Sequence, residues 1–345
     1  MMRRVISKVV AGEHLAEDEA RQVMELIMDG EATPAQIGAF LAALAAKGET
    51  VEEISGFALT MRRKALPLET KHSFCVDTCG TGGDGKGTFN ISTAVAFVLA
   101  GMGIPVAKHG NRSVSSHCGS ADVLEALGVE INLPPEAVAA CLDHVGVGFL
   151  FAPIFHQAMK HAAAPRREIG IRTAFNLLGP LTNPAGAAYQ VVGVYDPELT
   201  EVLAQVLHRL GCRRAFVLHG SDGLDEATIS GATKVTELND GVIRTCYINP
   251  ADAGLPPASL KEIQGKDASY NARIILEVFS GKPGPARNVV LLNAAFGFIA
   301  AGKAMDLREG VEMAALSIDS GAALAKLEEM REFTRRWGAD AECHS

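Results

Sequence analysis

No two cysteines of the 345-residue chain are spaced as CxxC, and the seven present (Cys75, Cys79, Cys118, Cys141, Cys212, Cys246 and Cys343) are scattered and odd in number. That pattern argues against a zinc site or a disulfide frame and for reduced thiols in a cytoplasmic protein. A membrane-length apolar run is also lacking. The longest stretch, residues 94–107, is broken by Gly101, Gly103 and Pro105, so no membrane association is expected. Met1-Met2-Arg3-Arg4 is basic, but the apolar core and small-residue cleavage site of a signal peptide do not follow it. Excess positive charge is missing too: 32 Lys and Arg face 40 Asp and Glu, a net charge of −8. Such a chain repels phosphate backbones, which disfavours a nucleic-acid binder but leaves room for a local basic pocket that takes a small anion. Aromatic residues are few, at 6 % with one Trp. There is no internal repeat or low-complexity segment. With 48 % hydrophobic and 21 % charged residues the chain is an ordinary globular one, and its length suggests two domains. Glycine is what it has in excess. There are 35, about one residue in ten, without a G-X-Y period, and ten of them fall within residues 80–128. Tight turns and close backbone approaches are expected there.

The first 65 residues read as helices. Thr33-Pro34-Ala35-Gln36 is a capping box with proline at the first helical position, and Ile37, Phe40, Leu41 and Leu44 form one face behind it. Thr50-Val51-Glu52-Glu53 opens a second helix, and an earlier one spans about 16–28. Short loops make these antiparallel neighbours in a small bundle. From about residue 74 strand-like and helix-like segments alternate, which predicts an α/β domain with a mainly parallel central sheet. Strands are expected near 104–108, 147–151, 190–194, 215–218, 233–238 and 242–248. The last third, from about 267, reads as mostly helix.

Five of the eight residues in Gly80-Thr81-Gly82-Gly83-Asp84-Gly85-Lys86-Gly87 are glycine. Without Cβ atoms, backbone N–H groups can converge on an anion, and the next helix adds its N-terminal partial charge. A phosphate or pyrophosphate site is the natural reading; a merely flexible loop is the bland one. Two familiar motifs fit only in part. G-x-G-x-x-G needs an acidic residue at the end of the following strand, where Lys108-His109 stand instead. G-x-x-x-x-G-K needs Ser or Thr next, where Gly87 stands. Thr88-Phe89-Asn90-Ile91-Ser92-Thr93 caps the next helix, and beside a phosphate those side chains can double as ligands. Lys108-His109-Gly110-Asn111-Arg112 puts potential cations at a strand end, where α/β sheets bind ligands. His117 and Cys118 suggest nucleophilic chemistry, but spacing places no partner carboxylate beside them.

Together with Gly119-Ser120-Ala121-Asp122, Arg172-Thr173-Ala174-Phe175-Asn176-Leu177-Leu178-Gly179-Pro180-Leu181 and His219-Gly220-Ser221-Asp222-Gly223-Leu224-Asp225-Glu226, these segments resemble the anthranilate phosphoribosyltransferase family over essentially the whole chain. The resemblance implies a small helical domain, residues 1–66 with a second segment of about 166–189, and an α/β donor-binding domain, residues 67–165 and 190–345. It implies transfer of phosphoribose from 5-phosphoribosyl 1-pyrophosphate to the amine of anthranilate, a step of tryptophan biosynthesis that uses magnesium, in a cytoplasmic homodimer. Gly80, Gly83, Asp84, Thr88, Asn90, Ser92, Thr93, Lys108 and Ser120 would then bind the donor. Gly80, His109, Asn111, Arg166, Gly179 and Pro180 would face anthranilate, and Ser92, Asp225 and Glu226 would hold magnesium. No residue is assigned as the catalytic acid or base; Lys108 and His109 are electrostatic candidates.

The chain departs from the family pattern at Gln157, at Ala164-Pro165 before Arg166, and at Ala227-Thr228, without losing a ligand. The alternatives are a pyrimidine-nucleoside phosphorylase-like enzyme, which shares the fold, and a non-catalytic homologue that binds the donor. The expectation for the site is a small basic pocket of Lys108, His109, Arg112 and Arg166 inside an acidic shell.

Overall fold

The structure, a computed structural model, describes residues 1–113 and 118–342, with side chains through 338. His117 and Cys343 lie outside the described residues. Four helices open the chain: α1 (Met2–Val10), α2 (Glu17–Met28), α3 (Pro34–Lys47) and α4 (Val51–Lys64). Both expected capping boxes form. Thr33 Oγ1 accepts from Gln36 N and Thr50 Oγ1 from Glu53 N, each at 3.3 Å. Caps of this kind stabilise a helix by about 1 kcal/mol each.

The middle of the chain then runs β1 (Val76–Gly80), α5 (Ile91–Gly101), β2 (Val106–Gly110), α6 (Ser120–Ala126), α7 (Pro135–Val145), β3 (Val147–Phe151), α8 (Ala152–Phe155), α9 (Lys160–Ile169), α10 (Phe175–Leu178), β4 (Tyr189–Gly193), α11 (Leu199–Arg209) and β5 (Arg214–Gly220). It ends with β6 (Thr233–Asn239), β7 (Val242–Ile248), α12 (Ala268–Phe279), α13 (Pro285–Ala300), α14 (Leu307–Asp319) and α15 (Ala322–Glu342). α1 and α11 are helices beyond those expected from the sequence, and both are amphipathic: α1 buries Met2, Val5 and Val9, and α11 buries Leu203, Ala204, Val206 and Leu207.

The seven strands form one sheet in the order β3-β2-β1-β4-β5-β6-β7. β3 to β5 along that order are parallel, and β6 and β7 are antiparallel additions. Alternation along the strands splits the core between the two faces. Val191, Phe216 and Leu218 join α5 and α12–α15 on one side. Val192, Val194, Ala215 and Val217 join the α1–α4 bundle, α11 and residues 174–181 on the other. α9 packs on α2 and α3, so the chain is an N-terminal helical bundle set against a larger α/β part with a mostly parallel sheet. Among the described residues no helix is long and apolar enough to cross a membrane.

The chain order reverses between β1 and β4, so the crevice at the C-terminal ends of those strands is where a ligand has room. β1, β2, β4 and β5 all end on glycine. At two of them the need is steric. A Cβ on Gly193 would lie 1.5 Å from the Asp225 carbonyl oxygen, and one on Gly80 would lie 2.7 Å from Asp225 Oδ2. The loop that carries Asp225 and Glu226 is thereby drawn down onto the strand ends.

Candidate active site

The loop after β1 shows why its glycines are needed. Gly82, Gly83, Gly85 and Gly87 have φ of 64°, 78°, 67° and 64°, a left-handed region that other L residues adopt with strain. Three contacts fasten its first half. Thr81 N donates to Gly193 O at 2.9 Å, Gly82 N donates to Asp225 Oδ2 at 2.8 Å, and the Gly83 carbonyl accepts from Arg172. Asp84 Oδ1 accepts from Lys86 N at 3.0 Å. The N–H groups of Gly83, Asp84, Gly85 and Gly87 have no acceptor among the described residues. Successive unpaired N–H groups in a glycine loop of this kind can take up an anion.

Beside the loop lies a compact charge network. Lys108, buried in the middle of β2, donates from Nζ to Thr78 O at 2.6 Å and Ser92 Oγ at 3.3 Å. Burial pushes its ammonium pKa down, and the nearby Asp77, Cys79 and Glu226 oppose that. Glu226 lies near the Ser92 backbone N–H at the start of α5, which favours its charged form, as the helix dipole does. Burial, and then repulsion from Asp225, still hold the Glu226 carboxyl well above the usual carboxylate range. Asp225 is pushed up to about 7 by burial and by Asp84, whose Oδ2 is 3.4 Å from Asp225 N. Asn293, on α13, pins the following turn, accepting from Ala227 N and donating to Ala227 O at 2.9 Å each.

The carboxylates decide what cation fits here. Among the described residues no three His, Cys, Asp or Glu side chains form a ligand cluster, so a site closed by protein alone is absent. Two adjacent half-buried carboxyls, with Asp84 close by and both held above their ordinary range, make an oxygen-rich setting in which a bound cation would favour their ionised forms. That suits magnesium, which takes one or two carboxylates and fills its shell with phosphate oxygens and water.

The next compartment is neutral and aromatic. His109 Nδ1 donates to Gly179 O at 3.0 Å, and its buried Nε2 has no partner among the described residues. Burial, and then the neighbouring His156, push its pKa down to about 3. The His156 ring lies 5.1 Å away, with its Nε2 equally unpartnered and its pKa pushed by burial to about 4. Pro180 follows Gly179 in a short 3-10 turn, and Gln190 Nε2 holds the Pro180 carbonyl at 2.9 Å. Arg166 sits half-buried with its guanidinium 4.8 Å over the Phe175 ring. No carboxylate pairs with it among the described residues, and burial lowers its pKa.

The structure therefore brings Gly80, Gly83, Asp84, Ser92, Lys108, Asp225 and Glu226 together around β1, β2 and β4, and groups His109 with Gly179 and Pro180. Thr88 bridges to Gln264, and Asn90 is held by Cys118 O and Asn271 at 3.1 and 3.0 Å. The Thr93 hydroxyl is buried without a partner among the described residues, Asn111 is exposed, and Ser120 Oγ donates to Asn111 O at 3.3 Å. The expected basic pocket needs correcting. His109 is neutral, and Arg112 is turned into ion pairs with Asp122 and Glu125 at 3.0 and 2.6 Å. Of those four, Lys108 and Arg166 are the cations left, and the half-buried acids Asp84, Asp225 and Glu226 are as prominent as the bases. Burial raises the Cys118 thiol to about 11, which suits a packed side chain and not a nucleophile.

Sequence reasoning missed His156, Asp77, Asn293 and the Arg172–Tyr195 contact. Asn293 left a signal, as a lone polar residue in the apolar helix 289–300. The others come together from distant parts of the chain.

Residues 72–324 match the model of the glycosyl transferase family α/β domain, and residues 3–65 match that of its helical bundle domain. The chain is 64 % identical to the anthranilate phosphoribosyltransferase of Moorella thermoacetica over 339 residues, covering 98 % of this chain and 100 % of that one. It belongs to the anthranilate phosphoribosyltransferase family. The family's enzyme from Symbiobacterium thermophilum is 56 % identical, covering 99 % of this chain and all of that one. The crystal structure of the family's Thermus thermophilus member superposes with a TM-score of 0.91 at 44 % identity, covering 96 % of this chain and 99 % of that one. The Saccharomyces cerevisiae enzyme in complex with 5-phosphoribosyl 1-pyrophosphate and Mg superposes with a TM-score of 0.89 at 28 % identity, covering 97 % and 98 %. Membership in this family makes the chain a pentosyltransferase, and its nest of free N–H groups is chemically suited to a phosphorylated sugar.

Proposed function

We propose that this member of the family moves phosphoribose from 5-phosphoribosyl 1-pyrophosphate to the amine of anthranilate by positioning and electrostatics, with the following division of labour. The glycine loop (Gly80, Gly83, Asp84), the start of α5 with its preceding loop (Thr88, Asn90, Ser92, Thr93), Lys108 and Ser120 receive the donor. Gly80, His109, Asn111, Arg166, Gly179 and Pro180 receive anthranilate. Ser92, Asp225 and Glu226 hold magnesium, which when bound supplies positive charge against the diphosphate. The domain division at 1–66 with 166–189, the homodimer and the cytoplasmic location belong to the same reading.

Breaking the bond between C1 and pyrophosphate leaves negative charge on the departing group and positive character on the ribose. Lys108 and the unpaired N–H groups of the loop stabilise the former, already oriented before the reaction begins. Anthranilate's aromatic amine is neutral at pH 7, so no strong base has to activate it. With its pKa near 3, His109 is too weak a base for that work; it orients the acceptor instead. Arg166 offers a planar fork to the acceptor carboxylate. The observation that carries this reading is the junction of the free loop N–H groups with the Lys108–Ser92–Glu226 network at the strand ends.

Mixing the protein with donor, magnesium and anthranilate should consume anthranilate, followed by the fall of its fluorescence; no consumption overturns the reading. Arg166→Ala should raise KM for anthranilate about tenfold or more, since an unpaired carboxylate would face an apolar wall, and leave the donor KM within twofold. Equal rises for both substrates would assign Arg166 another role.

A further inference from the structure

Arg172 stands in the connection between α9 and α10, three residues past the end of α9, where a helix-end surface charge would be unremarkable. Its side chain is exposed to solvent, yet it is held at two points. It donates to the Gly83 carbonyl, and its guanidinium carbon lies 4.2 Å over the Tyr195 ring. Tyr195 N in turn donates to Thr81 Oγ1 at 3.2 Å. Thr81, Gly83, Arg172 and Tyr195 thus close a ring of contacts around the first half of the glycine loop.

Gly82 and Gly83 both sit at positive φ, and without side chains the peptides on either side of Gly83 rotate at little cost. The contact from Arg172 removes that freedom at one peptide. A trans peptide points its C=O and the next N–H to opposite sides. Holding the Gly83 oxygen toward Arg172 therefore turns Asp84 N–H away from it, and that N–H has no acceptor among the described residues. A Cβ on Gly83 would lie 3.4 Å from Arg172 Nη2, so the guanidinium lies directly against the loop.

We propose that Arg172, seated on Tyr195, is a positioning residue that sets the peptide between Gly83 and Asp84 for a phosphate group of the donor, and so ties the donor loop to the segment that bears Arg166. This rests on the function proposed above. The contact is not part of the acceptor site, so its loss acts on one substrate.

The test uses Arg172→Ala and Arg172→Met; the methionine keeps an apolar stem over Tyr195 and removes the donor group. Initial rates with donor and anthranilate varied separately, and calorimetric titration with donor and magnesium, give the readouts. Both variants should raise the donor KM at least fivefold and weaken calorimetric donor binding by a similar factor, with the anthranilate KM within twofold and the melting temperature unchanged. A donor KM and affinity within twofold of the parent in either variant, or a matching rise in the anthranilate KM, overturns the proposal. Absence of phosphoribosyl transfer in the parent protein would instead overturn the functional reading, while the calorimetric comparison would still decide the role of Arg172.

Discussion

Asp225→Asn combined with Glu226→Gln should lower kcat/KM by about two orders of magnitude or more while raising the melting temperature of the ligand-free protein by about 2–5 °C. The two effects have one source. Asp225, Asp84 and Glu226 crowd negative charge into a desolvated crevice, and that crowding holds the Asp225 carboxyl at about 7 and Glu226 well above its ordinary range. The amides keep the useful geometry. After Asp225→Asn an oxygen remains for Gly82 N–H, and the new amide N–H can donate toward Asp84. After Glu226→Gln an oxygen remains beside Ser92 N–H. The fold loses repulsion and keeps its hydrogen bonds. What disappears is the anionic oxygen pair for magnesium.

The pH dependence follows in sign. A carboxyl whose folded pKa is raised stabilises the fold below its unfolded value of about 4, and that stability is lost as pH rises through the folded pKa. The parent should therefore lose stability between about pH 4 and pH 7, and the variant should lose less. The gap in melting temperature should vanish near pH 4 and be widest above pH 7. The magnesium concentration for half-maximal rate should rise sharply in the variant. An unchanged magnesium response, or a melting temperature that falls at pH 8, would refute the assignment of these two residues.

Much of this site was legible in the sequence because its chemistry is local. The glycine loop, the caps at Thr33 and Thr50 and the cluster at 108–112 are each confined to a few residues whose types state a backbone need or a charge. Charge balance was less legible. Lys108, His109 and Arg112 look alike in sequence, yet burial within β2 neutralises His109 and opposes the charge of Lys108, while α6 supplies Asp122 and Glu125 to capture Arg112. Those outcomes depend on what each side chain meets across the fold. The same holds for Asp225, whose neighbour Asp84 is 141 residues earlier, and for Arg172, whose partner Gly83 is 89 residues earlier.

Lys108→Met is expected to reduce kcat/KM by about 100- to 1,000-fold and to lower the unfolding free energy by about 3 kcal/mol, the usual effect of taking one partner from a buried charge network. An ammonium has three N–H groups. Two are used by Thr78 O and Ser92 Oγ, and under the proposed function the third would serve an oxygen of the departing pyrophosphate. Methionine fills the same space but withdraws the positive charge that opposes burial at Asp77 and Glu226. Both losses come from one group, so a second substitution is needed to separate them. Adding Glu226→Gln to Lys108→Met removes a charge left without its counterpart, keeps an oxygen beside Ser92 N–H, and should restore part of the lost stability with no recovery of activity. In a double-mutant cycle the two sites would then couple by about 1 kcal/mol or more. Strict additivity in denaturant unfolding would mean that Lys108 and Glu226 do not share a network. A single variant within tenfold of the parent rate would mean that the leaving charge is stabilised elsewhere, by the loop N–H groups alone.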